Sequence, residues 1–227
     1  MKVLALESST LAGGCALLDG DRVLGEITLN ISLTHSERLM AMVDRLLQDC
    51  GWTVRDLDGL AVSIGPGSFT GLRVGVATAK GLAFSLGVPV APVPTLDALA
   101  STLPFADAPV CPLLDARKGE VYLSLYRWRQ GRMARQWDYL ALSPEAAVER
   151  LESPVIVLGD GVQPCLSFLA RLGAGVRIAP PAHAIPSAAV VAHLGHAMLE
   201  SGLGTSAEAL VPLYLRPSEA ELRSRHG

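Results

Sequence analysis

The chain has 227 residues and a formal net charge of −3; half its residues are hydrophobic, 5% aromatic and 18% charged. That composition can bury a core in one large or two small domains without disulfides, and it excludes a disordered chain. The slight negative balance excludes a protein that coats nucleic acid by charge alone.

Lys2 to Glu7 reads as a strand rich in Val and Leu. Only four apolar residues separate Lys2 from Glu7, too few for the apolar centre of a secretory signal. Gly13 to Leu18 and Val23 to Leu29 are two further apolar runs, and Asp19-Gly20 between them is a hairpin signal. The chain therefore opens as a three-stranded meander. Thr34 with Glu37 has the capping-box spacing and starts a helix. Leu39, Val43, Leu46, Leu47 and Cys50 share one face of it, Met40 and Met42 widen that face, and Gly51 is placed to end it. Leu57 to Ile64 is a buried strand running into the glycine-rich stretch Gly65 to Gly71. A second helix spans Thr70 to Leu86, stopped by Gly87, and Val88 to Val93 is the next strand. Strands alternating with helices predict the α/β class, a mixed sheet covered by helices.

Pro104, Pro109 and Pro112 mark a domain boundary within Ser101 to Pro112. Beyond it the pattern predicts a strand ending at Asp115, a strand over Glu120 to Trp128, a turn at Gly131 and a strand around Ala134 to Leu142. A helix follows from Ser143 to Leu151, opened by Ser143-Pro144-Glu145. Pro154 to Leu158 is a further strand, and Gln163 to Leu172 and Ser187 to Leu199 are helices. The mean hydropathy of +0.36 makes a membrane test worthwhile. The stretch Ile178 to Leu199 lacks Asp, Glu, Lys and Arg and is long enough to span a bilayer. Its Pro180, Pro181 and Pro186, with His183, His193 and His196, make it a loop followed by a buried helix. Cys15, Cys50, Cys111 and Cys165 form no CxxC pair and read as reduced core thiols of a cytosolic protein.

Few motifs carry chemistry. The loop Gly65 to Gly71 can turn backbone N–H groups toward an anion. It lacks the lysine of GxxxxGK[ST], and Pro66 interrupts GxGxxG. A tight turn that needs positive φ angles accounts for the same glycines. Arg73, in the first turn of the second helix, opposes the macrodipole and calls for a carboxylate across an interface or from the sheet. Gly71, Gly75, Ala79 and Ala83 recur every four residues. Glycine in an exposed helix interior costs up to about 1 kcal/mol relative to alanine, so this row should serve packing. It packs either on the chain's own sheet or first helix, or on a helix of another chain, which the adaptable Met40 and Met42 also suit. His193 and His196 stand at i, i+3 without an acidic neighbour and read as ordinary helix histidines, and His35 as part of a cap. There is no GxSxG elbow, and Asp115, Glu120 and Asp160 have no partner spacing. Arg127, Arg129, Arg132 and Arg135 surround Gly131, with Trp128 and Trp137 near. On a hairpin Arg127 and Arg129 share one face and Trp128 takes the other. This is either a solvated hairpin or an RNA contact.

Glu7-Ser8-Ser9-Thr10, Gly65 to Arg73 (GPGSFTGLR), Asp115-Ala116-Arg117 with Glu120-Val121-Tyr122, Gly159-Asp160-Gly161 and Pro212 to Arg216 together resemble bacterial TsaB (YeaZ-type) proteins. Order, spacing and length match over essentially the whole chain, and a similar PGSFTGLR string occurs in the related TsaD subunit. The resemblance implies a two-lobed actin-like ATPase (ASKHA) fold with mixed sheets flanked by helices. It puts an N-terminal lobe carrying the partner-binding helices at 1–103 and a smaller, divergent lobe at 104–227. It also implies a cytoplasmic, noncatalytic scaffold without a membrane segment. The complex threonylcarbamoylates the adenosine next to the anticodon of tRNAs that read ANN codons. In that family TsaD transfers the group, TsaB is its obligatory partner and can pair with itself through the same face, and the ATPase TsaE joins them. ATP and metal are expected in the partner subunits, with no cofactor in the isolated chain.

Mapped onto this sequence, the pairing helices are Thr34–Cys50 and Thr70–Leu86. The expected interface residues are Leu39, Met40, Val43, Leu47, Gly71, Arg73, Gly75 and Ala79. A charged substitution at Gly75 is expected to abolish pairing and leave the monomer folded. Sugar-kinase-like relatives of the fold place a phosphate loop after the first strand, with an aspartate to manage magnesium, where Glu7 stands here. Glu7, Ser8, Ser9, Gly67 and Ser68 are the matching nucleotide-contact positions. TsaD carries an HxxxH metal pair after the strand corresponding to Val88–Val93; here that stretch, Pro94 to Ala100, has no histidine. No catalytic residue and no metal ligand are therefore expected. The competing reading is a small actin-like ATP-binding phosphotransferase or ATP hydrolase that uses Glu7 and the Gly65–Gly71 loop.

Overall fold

The computed structural model describes residues 1–31 and 35–216, with side chains in the first helix from residue 38 onward. The expected capping pair, Thr34 and the Glu37 side chain, lies outside the described residues, as does the His35 side chain. Strands β1 (Lys2–Glu7), β2 (Ala12–Asp19) and β3 (Arg22–Asn30) form the meander, with Asp19 paired to Arg22 around Gly20 at φ 57°. Helix α1 (His35–Asp49), β4 (Gly59–Gly65), α2 (Phe69–Leu86), β5 (Val90–Pro94) and the short α3 (Thr95–Ala100) follow. β4 and β5 run parallel to β1, so each needs a helical crossover. The sheet order is β3-β2-β1-β4-β5.

The second lobe contains β6 (Val110–Arg117), β7 (Glu120–Leu123), β8 (Tyr126–Arg129), β9 (Arg132–Arg135), β10 (Leu140–Leu142), α4 (Pro144–Glu149), β11 (Val155–Leu158), α5 (Val162–Leu169), β12 (Val176–Ile178) and α6 (Ala188–Glu200). Its main path is β10-β7-β6-β11-β12. The first two neighbour pairs are antiparallel and the last two parallel, as in the first sheet. The expected strand over Glu120–Trp128 is two strands. β7 stays on the sheet, and β8 leaves it with β9 as a hairpin arm joined to β6 only through Val110 and Tyr126. The expected Ala134–Leu142 strand likewise divides into the end of β9 and β10. Helix α3 escapes periodicity because every residue in it except Asp97 is buried, so it has no polar face to reveal a period.

Alternation along the strands divides the first core. Leu4, Leu6, Leu60 and Val62 face α1 and α2, whose Leu39, Val43, Leu46, Leu47, Val76, Ala79 and Ala83 complete that cluster. Val3, Ala5, Ala16, Ala61, Ala91 and Val93 face α6. The alanines let α6 lie close. A Cβ on Gly195 would overlap Ala61, so the helix sits at this depth only as glycine over alanine. Helices α3 and α6 stitch the lobes together. α3 follows the first sheet but packs Leu96 and Leu99 with Val110, Leu114 and Tyr126, while α6 follows the second sheet and covers the first. A division at 103/104 falls between α3 and β6, with α6 returning across it. No helix among the described residues is long and apolar enough to cross a membrane. The four cysteines are free. Burial, with the charge of Glu26, pushes the Cys15 thiol up to about 12, and burial alone takes Cys165 to about 11, so neither is a thiolate at neutral pH.

Candidate functional site

The expected interface residues separate by face. Leu39, Val43, Leu47, Gly71, Gly75 and Ala79 are buried inside this chain; only Met40 and Arg73 are exposed. The four-residue row of small residues therefore looks inward. A Cβ on Gly75 would overlap Ser8 Oγ, which donates to the Gly71 carbonyl (2.9 Å). This corrects the expected separation of roles: a charge at Gly75 would strike Ser8, just past the chain's own first strand. The outward stripe of α2 is offset from that row and runs through Arg73, Ala77, Gly81 and Phe84, all exposed. Phe84 is 76% exposed and Met40 on α1 45%. Nothing lies within 4 Å of where a Gly81 Cβ would stand.

Among the described residues Arg73 finds no carboxylate. Its guanidinium lies over the Phe69 ring (3.8 Å), and its Nε donates to the Tyr214 hydroxyl (3.4 Å), with the Phe69 and Tyr214 rings 4.8 Å apart. An aromatic face thus supplies the negative potential that the helix terminus denies it.

This stack stands at the mouth of a cleft of about 500 Å³ between the lobes. One wall is Ser9 and Thr10 after β1 with Gly67, Ser68 and Thr70 at the start of α2; the other is Asp115, Arg117, Lys118 and Asp160. The tail from Leu213 to Arg216 borders both. It is fastened by the Leu213 amide donating to the Ile64 carbonyl (2.7 Å) and by Arg216 paired with Glu120 (2.6 Å). Gly65, at φ 118°, has the Leu213 carbonyl 2.5 Å from where its Cβ would stand. A Cβ on Gly67 would overlap the Ser9 carbonyl, which accepts from the Ser68 amide (2.7 Å). Ser68 Oγ in turn caps α2 by accepting from the Gly71 amide (3.3 Å). Two N–H groups of the glycine-rich loop are therefore already used within the chain, and of its three glycines only Gly65 takes the positive φ of the tight-turn reading.

Of the five expected nucleotide contacts, Ser9, Gly67 and Ser68 border the cleft. Glu7 and Ser8 do not; both are buried beneath its wall. The Glu7 carboxylate accepts from the Ser9 amide (2.6 Å), the Ser9 hydroxyl and the Ser63 hydroxyl. On the opposite wall, the Asp115 amide donates to Asp160 Oδ1 (2.9 Å), and Arg117 pairs with Asp115 (3.1 Å). Loss of hydration lifts the Asp160 carboxyl above its ordinary value; the Asp115 amide opposes this and the Asp115 charge adds to it. Arg117 and Lys118 both take left-handed backbone angles (φ 61° and 52°), a conformation that costs each side chain about 1–2 kcal/mol.

Where TsaD is expected to carry its histidine pair, α3 presents Asp97. Its Oδ1 accepts from the Tyr126 hydroxyl (2.6 Å) and the Tyr139 hydroxyl (2.8 Å). Burial raises both phenols well above the usual tyrosine range, and Asp97 adds to it. The carboxylate thus latches the first lobe's last helix to the second lobe. No group of three His, Cys, Asp or Glu among the described residues could hold a metal ion. Sequence spacing does not disclose this latch, because its members lie 29 and 42 residues apart.

Two sheets of one strand order meeting at a cleft, tied by crossed helices, define a two-lobed actin-like α/β protein. The activator of the 2-hydroxyisocaproyl-CoA dehydratase from Clostridium difficile shares that fold alone, at 10% identity and a TM-score of 0.52 over 94% of this chain and all of that one. YeaZ from Pseudomonas aeruginosa superposes with a TM-score of 0.81 at 31% identity, covering 94% of this chain and 99% of that one. The tRNA threonylcarbamoyladenosine biosynthesis protein TsaB of Bacillus subtilis strain 168 is 35% identical over 98% of this chain and 97% of its own length. TsaB of Escherichia coli K12 is 30% identical over 97% and 96%. The family model described as TsaD, tRNA N6-adenosine threonylcarbamoyltransferase, matches residues 22–223. The chain belongs to the TsaB (YeaZ-type) family of tRNA threonylcarbamoyladenosine biosynthesis proteins.

Proposed function

We propose that the chain is a noncatalytic cytoplasmic scaffold that pairs with TsaD through the outer face of α1 and α2. TsaE joins the pair, and the complex modifies the adenosine next to the anticodon of tRNAs that read ANN codons. The chain pairs with itself through the same face when TsaD is absent. The observation that carries this reading is the outer stripe of α2, where Phe84 stands exposed beside Ala77 and the uncovered Gly81. A glycine in an open helix interior weakens the monomer. It is useful where another backbone approaches, and an exposed phenylalanine is useful where it inserts. Met40 on the neighbouring helix is a second exposed apolar side chain.

Catalysis, ATP and metal belong to the partners in this reading. Three of the five expected nucleotide positions, Ser9, Gly67 and Ser68, border the cleft, but Glu7 is engaged by Ser9 and Ser63 beneath its wall and does not face it. A magnesium-bound nucleotide does not fit that donor set, so no step is assigned to it.

Sedimentation of the chain alone and mixed with TsaD tests the proposal. The expected result is a one-to-one species formed at the expense of any homodimer. Phe84→Glu should abolish it with the melting temperature unchanged. Proteins that ignore each other at micromolar concentration, with TsaE and ATP also present, would refute the pairing. Saturable nucleotide binding by the isolated chain, lost in Ser9→Ala and Ser68→Ala, would refute the noncatalytic assignment.

A further inference from the structure

Neither the pairing face nor the cleft uses the β8–β9 arm. Gln130 (φ 49°) and Gly131 (φ 78°) form its two-residue turn, and the pairing of Arg129 with Arg132 closes it. Register decides where the charges go. Arg127 pairs with Ala134 and Arg129 with Arg132, so Arg127, Arg129 and Arg132 share one face, and all three are exposed. The other face anchors the arm. Tyr126 is buried on the Asp97 latch, Trp128 packs on Phe105 (ring centroids 4.9 Å), and Arg135 lies over Tyr139 (4.2 Å). At the foot of the arginine face, Arg127 borders a hollow of about 280 Å³ with Arg150, whose guanidinium lies 5.3 Å from the Trp137 ring. The acidic groups of that hollow are Glu152 and Asp107, and Asp107 is paired with Arg177.

Two arginines directly opposite one another destabilise a strand pair. Among the described residues none of Arg127, Arg129 and Arg132 has a carboxylate partner. A chain of net charge −3 thus gathers three guanidinium groups without a carboxylate partner among the described residues on one face. Their spacing is about 5 Å across the strands and about 7 Å along them. That array suits a repeating polyanion better than a single carboxylate, and guanidinium forks match phosphate oxygens.

We propose that this face holds the tRNA substrate by its phosphate backbone, without reading its sequence. The inference rests on the proposed function, which supplies the tRNA.

The test is titration of an unmodified tRNA transcript against the full chain complexed with the transferase partner, over a series of salt concentrations. In Arg129→Ala/Arg132→Ala the affinity should fall about tenfold or more, equally for different anticodons. The slope of log affinity against log salt should flatten by about 1 for each phosphate that an arginine no longer neutralises. Arg129→Lys/Arg132→Lys should keep most of that slope, and both variants should melt like the parent. Unchanged affinity and slope in the alanine pair, with the complex intact, overturns the proposal. Loss of transferase pairing in place of tRNA binding assigns the face to a protein and also overturns it. A parent chain that pairs with no transferase fails the proposed function instead. The same titration of the isolated chain then decides the arginine face: salt-dependent binding that disappears in the alanine pair supports it, and no binding overturns it.

Discussion

The two lobes repeat one sheet plan and put it to different uses. In each, a loop with glycines folds back over the first central strand or the residues just past it. Gly67 lies over the Ser9 carbonyl after β1, and Gly159 over the Leu113 carbonyl in β6. In each, that same carbonyl accepts an amide from the loop, from Ser68 (2.7 Å) and from Gly161 (3.0 Å). The additions differ. The first lobe covers its sheet with helices of 15 and 18 residues, and one of them turns a small-residue stripe and a phenylalanine outward. The second uses helices of 6 and 8 residues and carries the arginine arm instead. The carboxylates diverge as well: Glu7 is enclosed by hydroxyls in the first lobe, while Asp115 and Asp160 border the cleft in the second. A duplicated sheet fixes where loops meet; the side chains on the loops and the elements added outside decide what each lobe can touch.

The equivalence of the two glycines can be broken directly. Gly159→Ala meets both the Leu113 carbonyl and a φ of 105°, and should lose about 3 kcal/mol or more in urea unfolding. Gly67→Ala meets the Ser9 carbonyl without a positive φ and should lose about 1–3 kcal/mol. An equal loss at both would show that close approach alone makes glycine necessary there. On α2 the sign itself should change between faces. Gly75→Ala drives a methyl into Ser8 and should cost about 1–3 kcal/mol. Gly81→Ala meets nothing and should stabilise the monomer by up to about 1 kcal/mol, while weakening the association measured by sedimentation.

The latch between the lobes should show a smaller effect. Tyr126→Phe removes a donor from Asp97 and leaves Tyr139 there, a loss of about 1–2 kcal/mol by denaturant unfolding. Tyr139→Phe should cost less, because Tyr139 is only half-buried. A double variant whose loss differs from the sum of the two would show that the phenols share one acceptor as a unit.

Local chemistry is readable in the sequence where it acts locally. Asp19-Gly20 places the first hairpin, and Gly87 ends α2 at φ 69° as its position suggests. The row Gly71, Gly75, Ala79 is readable as small, but its direction is not. That direction is set by Ser8, more than sixty residues away and on another element. Exposure of Phe84 follows from the same rotation and is hidden with it. The cleft is legible only in pieces, since Ser9, Asp115, Asp160 and Tyr214 come from four separate segments and no period links them. The arginine hairpin is legible from the turn at Gly131 and the alternation of Arg127, Trp128 and Arg129, but its departure from the sheet is not, because β7 and β8 read as one continuous strand until the sheet is assembled.

The finest contrast between the lobes is electrostatic and lies at Asp160. Its carboxyl titrates above the ordinary value of 3.8 because hydration is lost and Asp115 repels its charge. Folding therefore favours the protonated form. The stability this group contributes is present in acid and lost as pH rises through the folded value. Asp160→Asn keeps an oxygen for the Asp115 amide and removes the charge. The variant should be more stable than the parent at neutral pH, by no more than about a few tenths of a kcal/mol because the cleft admits water. The difference should shrink as pH falls and vanish below 3.8, where both chains carry a neutral side chain. Parallel urea titrations of the two chains from pH 7 downward measure it. A variant less stable than the parent at pH 7 would mean that the Asp115 amide outweighs lost hydration, and that this carboxylate is held in its charged form.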